Sequence, residues 1–144
     1  MSFISEALVA VLLAGLTSAV SGPDIHEERF ASVADAQAKG AVADGRVPAW
    51  LPPAATHILA ARETGSKRFM LRFSVPKDAP FTLDPACSQV APRSPAPPPF
   101  ARGWWPGDVP ANSFATHRHA FFRCDDSFFA YAGHLGEGFV WRPK

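Results

Sequence analysis

The sequence predicts an α+β fold in which one short N-terminal helix packs on an antiparallel sheet of about five strands. Residues 67–75 alternate apolar and polar side chains, which is typical of a strand with one buried and one wet face. Aromatic residues crowd the last third of the chain and give it high β-propensity. Fifteen prolines and ten glycines exclude long helices and favour short elements joined by irregular connections.

Residues 1–22 are predicted to be a secretory signal peptide. The run from Ala7 to Val20 is apolar and uncharged, and it is shorter than the roughly 20 residues that span a bilayer. Small residues around Ala19 fit the small-x-small cleavage rule. The usual basic region is missing, however, and Glu6 stands in its place. The alternatives are an uncleaved membrane anchor and a buried helix of a cytosolic protein, although the run has no amphipathic period.

Residues 23–144 are then predicted to form one small exported domain, located in the periplasm or the cell envelope. A polar lead-in covers residues 23–31, and the helix follows it. Ser32 has the residue type of an N-cap, and Asp35 completes a capping-box pattern. Gly40 has the residue type that ends helices. The apolar stripe of this helix is thin, so the helix must lie against a larger element.

The predicted strands fall into two groups on either side of a proline-rich middle segment. Trp50 and Leu51 precede the first group in a connection rich in proline, and they are predicted to plug the edge of the core. Runs of high β-propensity or alternating polarity, separated by turn residues, define the strands. The predicted strands are residues 57–63, 67–75, 116–124, 127–132 and 137–141.

The middle segment, residues 76–100, is predicted to be the least regular part of the chain. Its piece 84–90 is predicted to form a helical turn that carries Cys87. Residues 92–99 contain five prolines, which favour polyproline II and exclude a place inside a sheet. We expect these prolines to form a plain loop between strands. The alternative is a ligand for a domain with an aromatic groove.

Cys87 and Cys124 are the only cysteines of the chain. In an exported domain such a pair predicts one disulfide. The disulfide would close a loop of about 37 residues and stabilise the fold by about 3–4 kcal/mol. Two buried free thiols are the alternative. A metal site is disfavoured because the two cysteines do not have C-x-x-C spacing.

His117 and His119 are the candidate metal ligands. Positions two apart on a strand share a face, so both imidazoles can point the same way. A zinc or copper site would need a third ligand such as His134 or Asp126. The alternative is that both histidines are solvent-exposed strand residues that bind nothing. No cofactor is predicted.

Phe100, Trp104 and Trp105 are the candidate binding surface. They lie beside the proline run, where aromatic side chains can form a platform for peptides or sugars. The alternative is that these side chains cap an open core. Arg68, Arg72, Arg118 and Arg123 lie on neighbouring predicted strands. They are predicted to form an ordinary solvated surface, and the alternative is a basic face.

Charge and motif content exclude several classes of function. The hydrophobic fraction of 47% excludes global disorder. A formal net charge of +1 predicts no nucleic-acid partner. The chain contains no G-x-S-x-G, H-E-x-x-H, P-loop or G-x-G-x-x-G motif, so no enzymatic reaction is predicted.

Two stretches carry a resemblance to a known group of proteins. Residues 29–36 (RFASVADA) and residues 45–58, which contain Trp50-Leu51-Pro52, resemble a widespread group of short bacterial exported proteins and lipoproteins with the label YbbD head domain. The resemblance implies a short helix, a Trp-Leu-Pro stretch, a strand pair and late aromatic strands near a cysteine. It implies export and fold but no activity. This chain lacks the cysteine that accepts lipid in many members, which argues against a lipid tether.

These observations predict a non-enzymatic exported module that binds a protein or an envelope component, or that serves a structural role there. One alternative is a small metal-binding protein or enzyme that uses His117 and His119. Another is an inhibitor or immunity-type protein. Membrane association is expected only if the N-terminal segment is retained.

Overall fold

The computed structural model describes residues 24–107, 109 and 119–144, and these form a seven-stranded antiparallel sheet with one short helix. In chain order the elements are β1 (Ile25–Ser32), α1 (Val33–Ala38), β2 (Thr56–Glu63), β3 (Phe69–Ser74), β4 (Cys87–Val90), β5 (Ala120–Cys124), β6 (Ser127–Ala132) and β7 (Glu137–Arg142). Helix and antiparallel sheet are both present, as expected. The sheet has seven strands rather than about five, and the helix has only six residues.

The strand order across the sheet is β1-β2-β3-β7-β6-β5-β4. The two predicted strand groups therefore meet in the middle, where the last strand of the chain lies beside β3. Leu71 of β3 pairs with Val140 of β7, and Val140 pairs in turn with Phe129 of β6. All three residues are buried. The apolar alternation that predicts the strands thus becomes one continuous row of side chains across the centre of the sheet.

The two strands that the sequence does not predict are β1 and β4, and both are edge strands. Residues 23–31 were expected to be a polar lead-in, but Ile25–Ser32 form β1, with Phe30 as its buried residue. The expected helical turn at residues 84–90 is also wrong, because Cys87–Val90 form β4. An edge strand has a neighbour on one side only and keeps many polar side chains, so its apolar pattern is weak.

The helix begins as predicted. Ser32 is the N-cap, and its hydroxyl oxygen accepts a hydrogen bond of 3.1 Å from the backbone N–H of Asp35. The Asp35 carboxylate accepts a bond of 2.9 Å from the backbone N–H of Ala31, one residue earlier than in a regular capping box. Gly40 has a φ of +74°, which ends the helix in the left-handed region that glycine adopts readily. The helix packs against β1.

The first face of the sheet is covered by the helix and by the connection that follows it. Leu51 is 4% exposed, and the ring centroid of the half-buried Trp50 lies 5.3 Å from that of Phe129. These contacts confirm the prediction that Trp50 and Leu51 plug the edge of the core. The buried covering residues are Ala36, Ala41, Val47, Leu51 and Ala55.

The second face of the sheet is not the wet face that the alternation of β3 predicts. Met70 lies on the same face of β3 as Arg72 and Ser74, which the alternation predicts to be wet, and yet it is fully buried. It belongs to a second core cluster with Val109, Phe121, Ala130, Phe139 and Trp141. Alternation shows that a strand has two different faces, but it does not show what covers the more polar one.

A disulfide joins Cys87 to Cys124, as the cysteine count predicts, with an S–S distance of 2.04 Å. The two residues are directly opposite each other on β4 and β5. Disulfides persist in oxidising compartments, so this bond is consistent with export. The predicted signal peptide at residues 1–22 lies outside the described residues. Among the residues that are described, no helix has the length and apolar content needed to cross a membrane.

Candidate functional site

The proline-rich segment lies flat on the second face of the sheet. We call residues 95–107 together with Val109 the proline cover. Pro95 and Val109 are buried, and the half-buried Phe100, Trp104 and Trp105 pack on the second core cluster. The segment is the irregular loop between strands that was expected, here between β4 and β5, and it also closes a hydrophobic core.

Side chains of the sheet supply hydrogen-bond donors to the proline cover. Proline has no backbone N–H, so a segment rich in proline has more acceptors than donors and cannot satisfy its carbonyls by itself. The donors come from indole and guanidinium groups beneath it. These bonds run from Trp141 Nε1 to the Ala96 oxygen (2.8 Å), from Arg68 Nη2 to the Pro99 oxygen (2.8 Å) and from Arg72 Nη1 to the Trp104 oxygen (3.2 Å).

Trp105 anchors the cover to the core. Its ring centroid lies 5.1 Å from that of Phe139 and 5.5 Å from that of Trp141, both in edge-to-face geometry. Its indole N–H donates to the backbone oxygen of Val109 at 2.7 Å. The Trp105 ring thus packs as a core side chain. Its indole N–H, which a polar ligand would need as a donor, is already bonded to the Val109 oxygen.

The outer surface of the cover forms a groove of about 610 Å³, which we call the aromatic–proline groove. Its lining residues include Pro95, Pro97, Phe100, Ala101, Arg102 and Trp105. Two guanidinium groups lie over the Phe100 ring, with the Arg102 and Arg68 Cζ atoms 5.8 and 6.0 Å from its centroid. Cation–π contacts of this kind restrain the ring in the groove wall.

The three residues of the predicted binding surface are only partly brought together. Phe100 and Trp105 line the aromatic–proline groove, whereas Trp104 lies on the side of the cover that faces β1. The Trp104 indole N–H donates to Glu27 Oε1 at 3.1 Å. Glu27 also forms an ion pair with Arg102, whose Nε lies 3.5 Å from the same oxygen. Trp104 therefore fixes the cover to the edge strand.

His119 differs from the exposed strand histidine that was expected. It is 8% exposed, its Nε2 atom lies 3.2 Å from Glu137 Oε1, and its ring packs against Phe139. His117 lies outside the described residues. His134 and Asp126, the suggested third ligands, do not join His119, because the described residues contain no group of three side chains that could hold a metal ion.

A second groove, of about 660 Å³, opens near the end of β1 and was not predicted. We call it the basic groove, and its lining includes Arg29, Asp35, Lys39, His57, Leu59 and Arg72. These residues come from three strands and the helix. No spacing along the chain could have indicated the basic groove, because only the pairing of β1, β2 and β3 assembles it.

Part of the chain is similar to a known protein family. No curated protein and no solved structure is significantly similar to the chain. The match covers β1, α1, the Trp50-Leu51-Pro52 connection, β2 and β3, which is about a third of the chain, and it stops before the proline cover. Residues 24–74 match the family model of the YbbD head domain, which confirms the resemblance that the sequence carries in this segment.

Proposed function

We propose that this protein is a non-enzymatic exported module that binds an extended apolar segment of a partner protein in the aromatic–proline groove. The observation that carries the proposal is the groove itself. It has a volume of about 610 Å³, it is lined mainly by proline and aromatic side chains, and it lies on a buried core. A groove with walls of proline and aromatic side chains suits an extended apolar segment, as in other recognition of peptides by aromatic surfaces.

The chemistry of the lining favours a peptide over a sugar. Arg102 is the one charged residue of the lining, which is otherwise made of proline, alanine, glycine, valine and two aromatic residues. The indole N–H of Trp105 is occupied by the Val109 oxygen. A sugar would need several polar partners for its hydroxyl groups, because burying an unpaired hydroxyl is costly. An apolar segment would need only contact area.

The walls of the groove are held in place by contacts within the protein that need no ligand. Trp105 is wedged against Phe139 and Trp141, and the cover is fixed to the sheet by hydrogen bonds from Trp141 and Arg72. Proline fixes its own φ, so the backbone of the cover has little freedom to lose. A preorganised surface loses less entropy on binding, which favours affinity for a short segment.

Export to the periplasm or the cell envelope is the second part of the proposal. The apolar run at residues 7–20 and the disulfide both support it. The test is cell fractionation followed by mass spectrometry of the purified chain. We expect a shortened chain with oxidised Cys87 and Cys124 outside the cytoplasm. A full-length chain in the cytosol with both thiols reduced would contradict export.

The binding test places a charge in the groove without touching its anchors. Ala101 is exposed and lines the groove, so Ala101→Glu should block an apolar segment while the core stays intact. Ala91→Glu is the matched control, because Ala91 is exposed in the same connection but does not line the groove. Envelope proteins would be captured with the wild-type chain and with each variant and then quantified.

We expect partner proteins that the wild type and Ala91→Glu capture equally and that Ala101→Glu loses. Thermal unfolding of both variants should match the wild type, since both positions are exposed. Equal capture by all three chains would show that the partner does not bind in the aromatic–proline groove. Failure of the wild type to enrich any protein over an unrelated exported domain would remove the binding function itself.

A further inference from the structure

We infer that the basic groove is a binding site for a phosphate group, a role separate from the proposed peptide binding. The groove is lined by Arg29, Asp35, Lys39, His57, Leu59 and Arg72, among others. It contains three permanent positive charges and one negative charge, although the whole chain has a formal net charge of only +1. The local excess of positive charge is therefore not a reflection of composition.

The single acid of the groove is already engaged. The Asp35 carboxylate accepts hydrogen bonds from the Ala31 backbone N–H at 2.9 Å and from Lys39 Nζ at 3.2 Å. Asp35 and Lys39 thus largely neutralise each other. The two arginines remain as the uncompensated charges, and they are the groups that attract an anion.

Strand pairing places these two arginines on either side of one apolar residue. Leu59 is the register partner of Arg29 on β1 and of Arg72 on β3, so all three share one face of the sheet. Neighbouring strands are about 4.8 Å apart, which sets the two arginine backbones about 10 Å apart. Arg29 lines the groove from β1 and Arg72 lines it from β3, so the two side chains flank the space above Leu59, where a small anion would sit.

Neither arginine has a carboxylate partner among the described residues, which sets them apart from their neighbours. Arg29 is exposed and makes no ion pair within the described part of the chain. Arg72 donates one N–H to the Trp104 oxygen at 3.2 Å and lies 5.8 Å from the Phe139 ring centroid, which holds its guanidinium in place. In contrast, carboxylates lie within ion-pair distance of Arg46, Arg62, Arg68 and Arg102.

His57 brings a third donor to the same groove by an unusual backbone conformation. Its φ is +49°, and the register between β2 and β3 shifts between Thr56 and Leu59. A non-glycine residue rarely adopts this conformation, and bulges of this kind redirect a side chain. The Nδ1 atom of His57 lies 3.2 Å from the Thr56 hydroxyl. That contact orients the ring, and Nε2 remains as its second polar atom.

This donor set suits a tetrahedral oxyanion better than a planar carboxylate. One arginine fork can satisfy both oxygens of a carboxylate, whereas a phosphate presents oxygens in several directions to donors on several strands. Leu59 and Ile58 add apolar lining, which can contact the carbon skeleton of an organic phosphate. The phosphate can belong to a soluble ester or to a lipid headgroup, and the chemistry of recognition is the same.

The test is calorimetric titration of the full chain with inorganic phosphate and with glycerol phosphate at constant ionic strength. Arg29→Gln is the diagnostic variant because the Arg29 side chain is exposed and makes no hydrogen bond or ion pair with the residues that the structure describes. Arg123→Gln is the matched control, since Arg123 is also exposed but lies on β5 at the other side of the sheet. We expect saturable binding that Arg29→Gln weakens about tenfold or more, as for one lost hydrogen bond to an ion. Arg123→Gln should bind as the wild type does.

A second arm separates the two sources of phosphate. The same three chains are mixed with phosphatidylglycerol vesicles and with phosphatidylcholine vesicles, and bound protein is measured by sedimentation. All chains carry the same N-terminal run, so a difference between them comes from the groove. Loss of phosphatidylglycerol binding in Arg29→Gln alone, without binding of soluble phosphate, assigns a lipid headgroup. No binding in either arm, or equal weakening by Arg29→Gln and Arg123→Gln, would overturn the inference.

Discussion

Gly138 of β7 is the position where a single added methyl group should damage the fold most clearly. Its register partners are Phe73 on β3 and Tyr131 on β6, in the centre of the sheet. A Cβ at this position would lie 2.6 Å from Phe73 Cε1 and 2.8 Å from Cε2. The Phe73 ring therefore occupies the space that the side chain of any other residue would need.

The cost of Gly138→Ala follows from this overlap. Carbon atoms pack at about 3.5–4.0 Å, so the ring would have to move by about 1 Å. Phe73 is fully buried, and its centroid lies 5.9 Å from that of Phe129, which blocks a simple shift. Overpacking costs about 1–3 kcal/mol, and the lower chain entropy of alanine returns about 0.5–1 kcal/mol. The difference is a net loss of about 1–2 kcal/mol in the free energy of unfolding.

The assay is urea unfolding with the disulfide intact, followed by tryptophan fluorescence and by circular dichroism. Gly103→Ala is the matched control, because a Cβ at Gly103 meets nothing within 4 Å and should change stability by less than about 0.5 kcal/mol. A double-mutant cycle with Phe73→Leu, which removes the clashing ring atoms, isolates the contact.

We expect Gly138→Ala to cost at least about 1 kcal/mol less in the Phe73→Leu background than in the wild type. Additive effects would show that the loss does not arise from the Phe73 ring. A Gly138→Ala variant as stable as Gly103→Ala would refute the packing argument altogether.

Three further predictions concern the disulfide and two titrating groups. Replacing both Cys87 and Cys124 by alanine should lower the free energy of unfolding by about 4 kcal/mol, since the chain-entropy estimate applies to a separation of 37 residues; a loss below about 1 kcal/mol in urea unfolding would contradict it. Burial, and after it the charge of Asp78, raises the pKa of Tyr131, the only tyrosine of the chain. Its phenolate absorbance should therefore appear at higher pH in the folded than in the urea-unfolded chain, and stability should fall as the pH rises past about 10; coincident titration curves would argue against this. A backbone hydrogen bond and then a lysine hydrogen bond lower the pKa of Asp35, so its charge stabilises the fold above about pH 4 and that contribution is lost as the pH falls through the folded pKa. The gap in unfolding midpoint between the wild type and Asp35→Asn should shrink in acid, and a constant gap would exclude the charge as its cause.

The sequence predicts the elements whose signals are local. The alternation of residues 67–75, the Ser32 cap and the turn residues each depend on a few neighbouring positions, and the structure contains a strand, a cap and turns there. The disulfide also follows from simple counting, because only two cysteines were available to pair.

The parts that could not be predicted depend on contacts between distant residues. Met70 lies on the more polar face of its strand, which suggests an exposed position. It is buried because the proline cover, which begins 25 residues later in the chain, packs on that face. The basic groove likewise exists because strand pairing places Arg29 and Arg72 on either side of Leu59. The aromatic composition predicts two residues of the candidate binding surface, Phe100 and Trp105. It does not predict that Trp104 lies outside the groove, where its indole donates to Glu27 of the edge strand β1.

The shortage of backbone N–H groups in the proline cover decides which spectroscopic probes can follow it. Amide hydrogen exchange and amide-detected resonance would sample residues 95–99 poorly, since four of the five are proline. The indole protons of three tryptophans are better reporters, because Trp141 binds Ala96, Trp105 binds Val109 and Trp104 binds Glu27. If the cover lifts near Ala96, the indole signal of Trp141 should change, and if it lifts near β1, the indole signal of Trp104 should change.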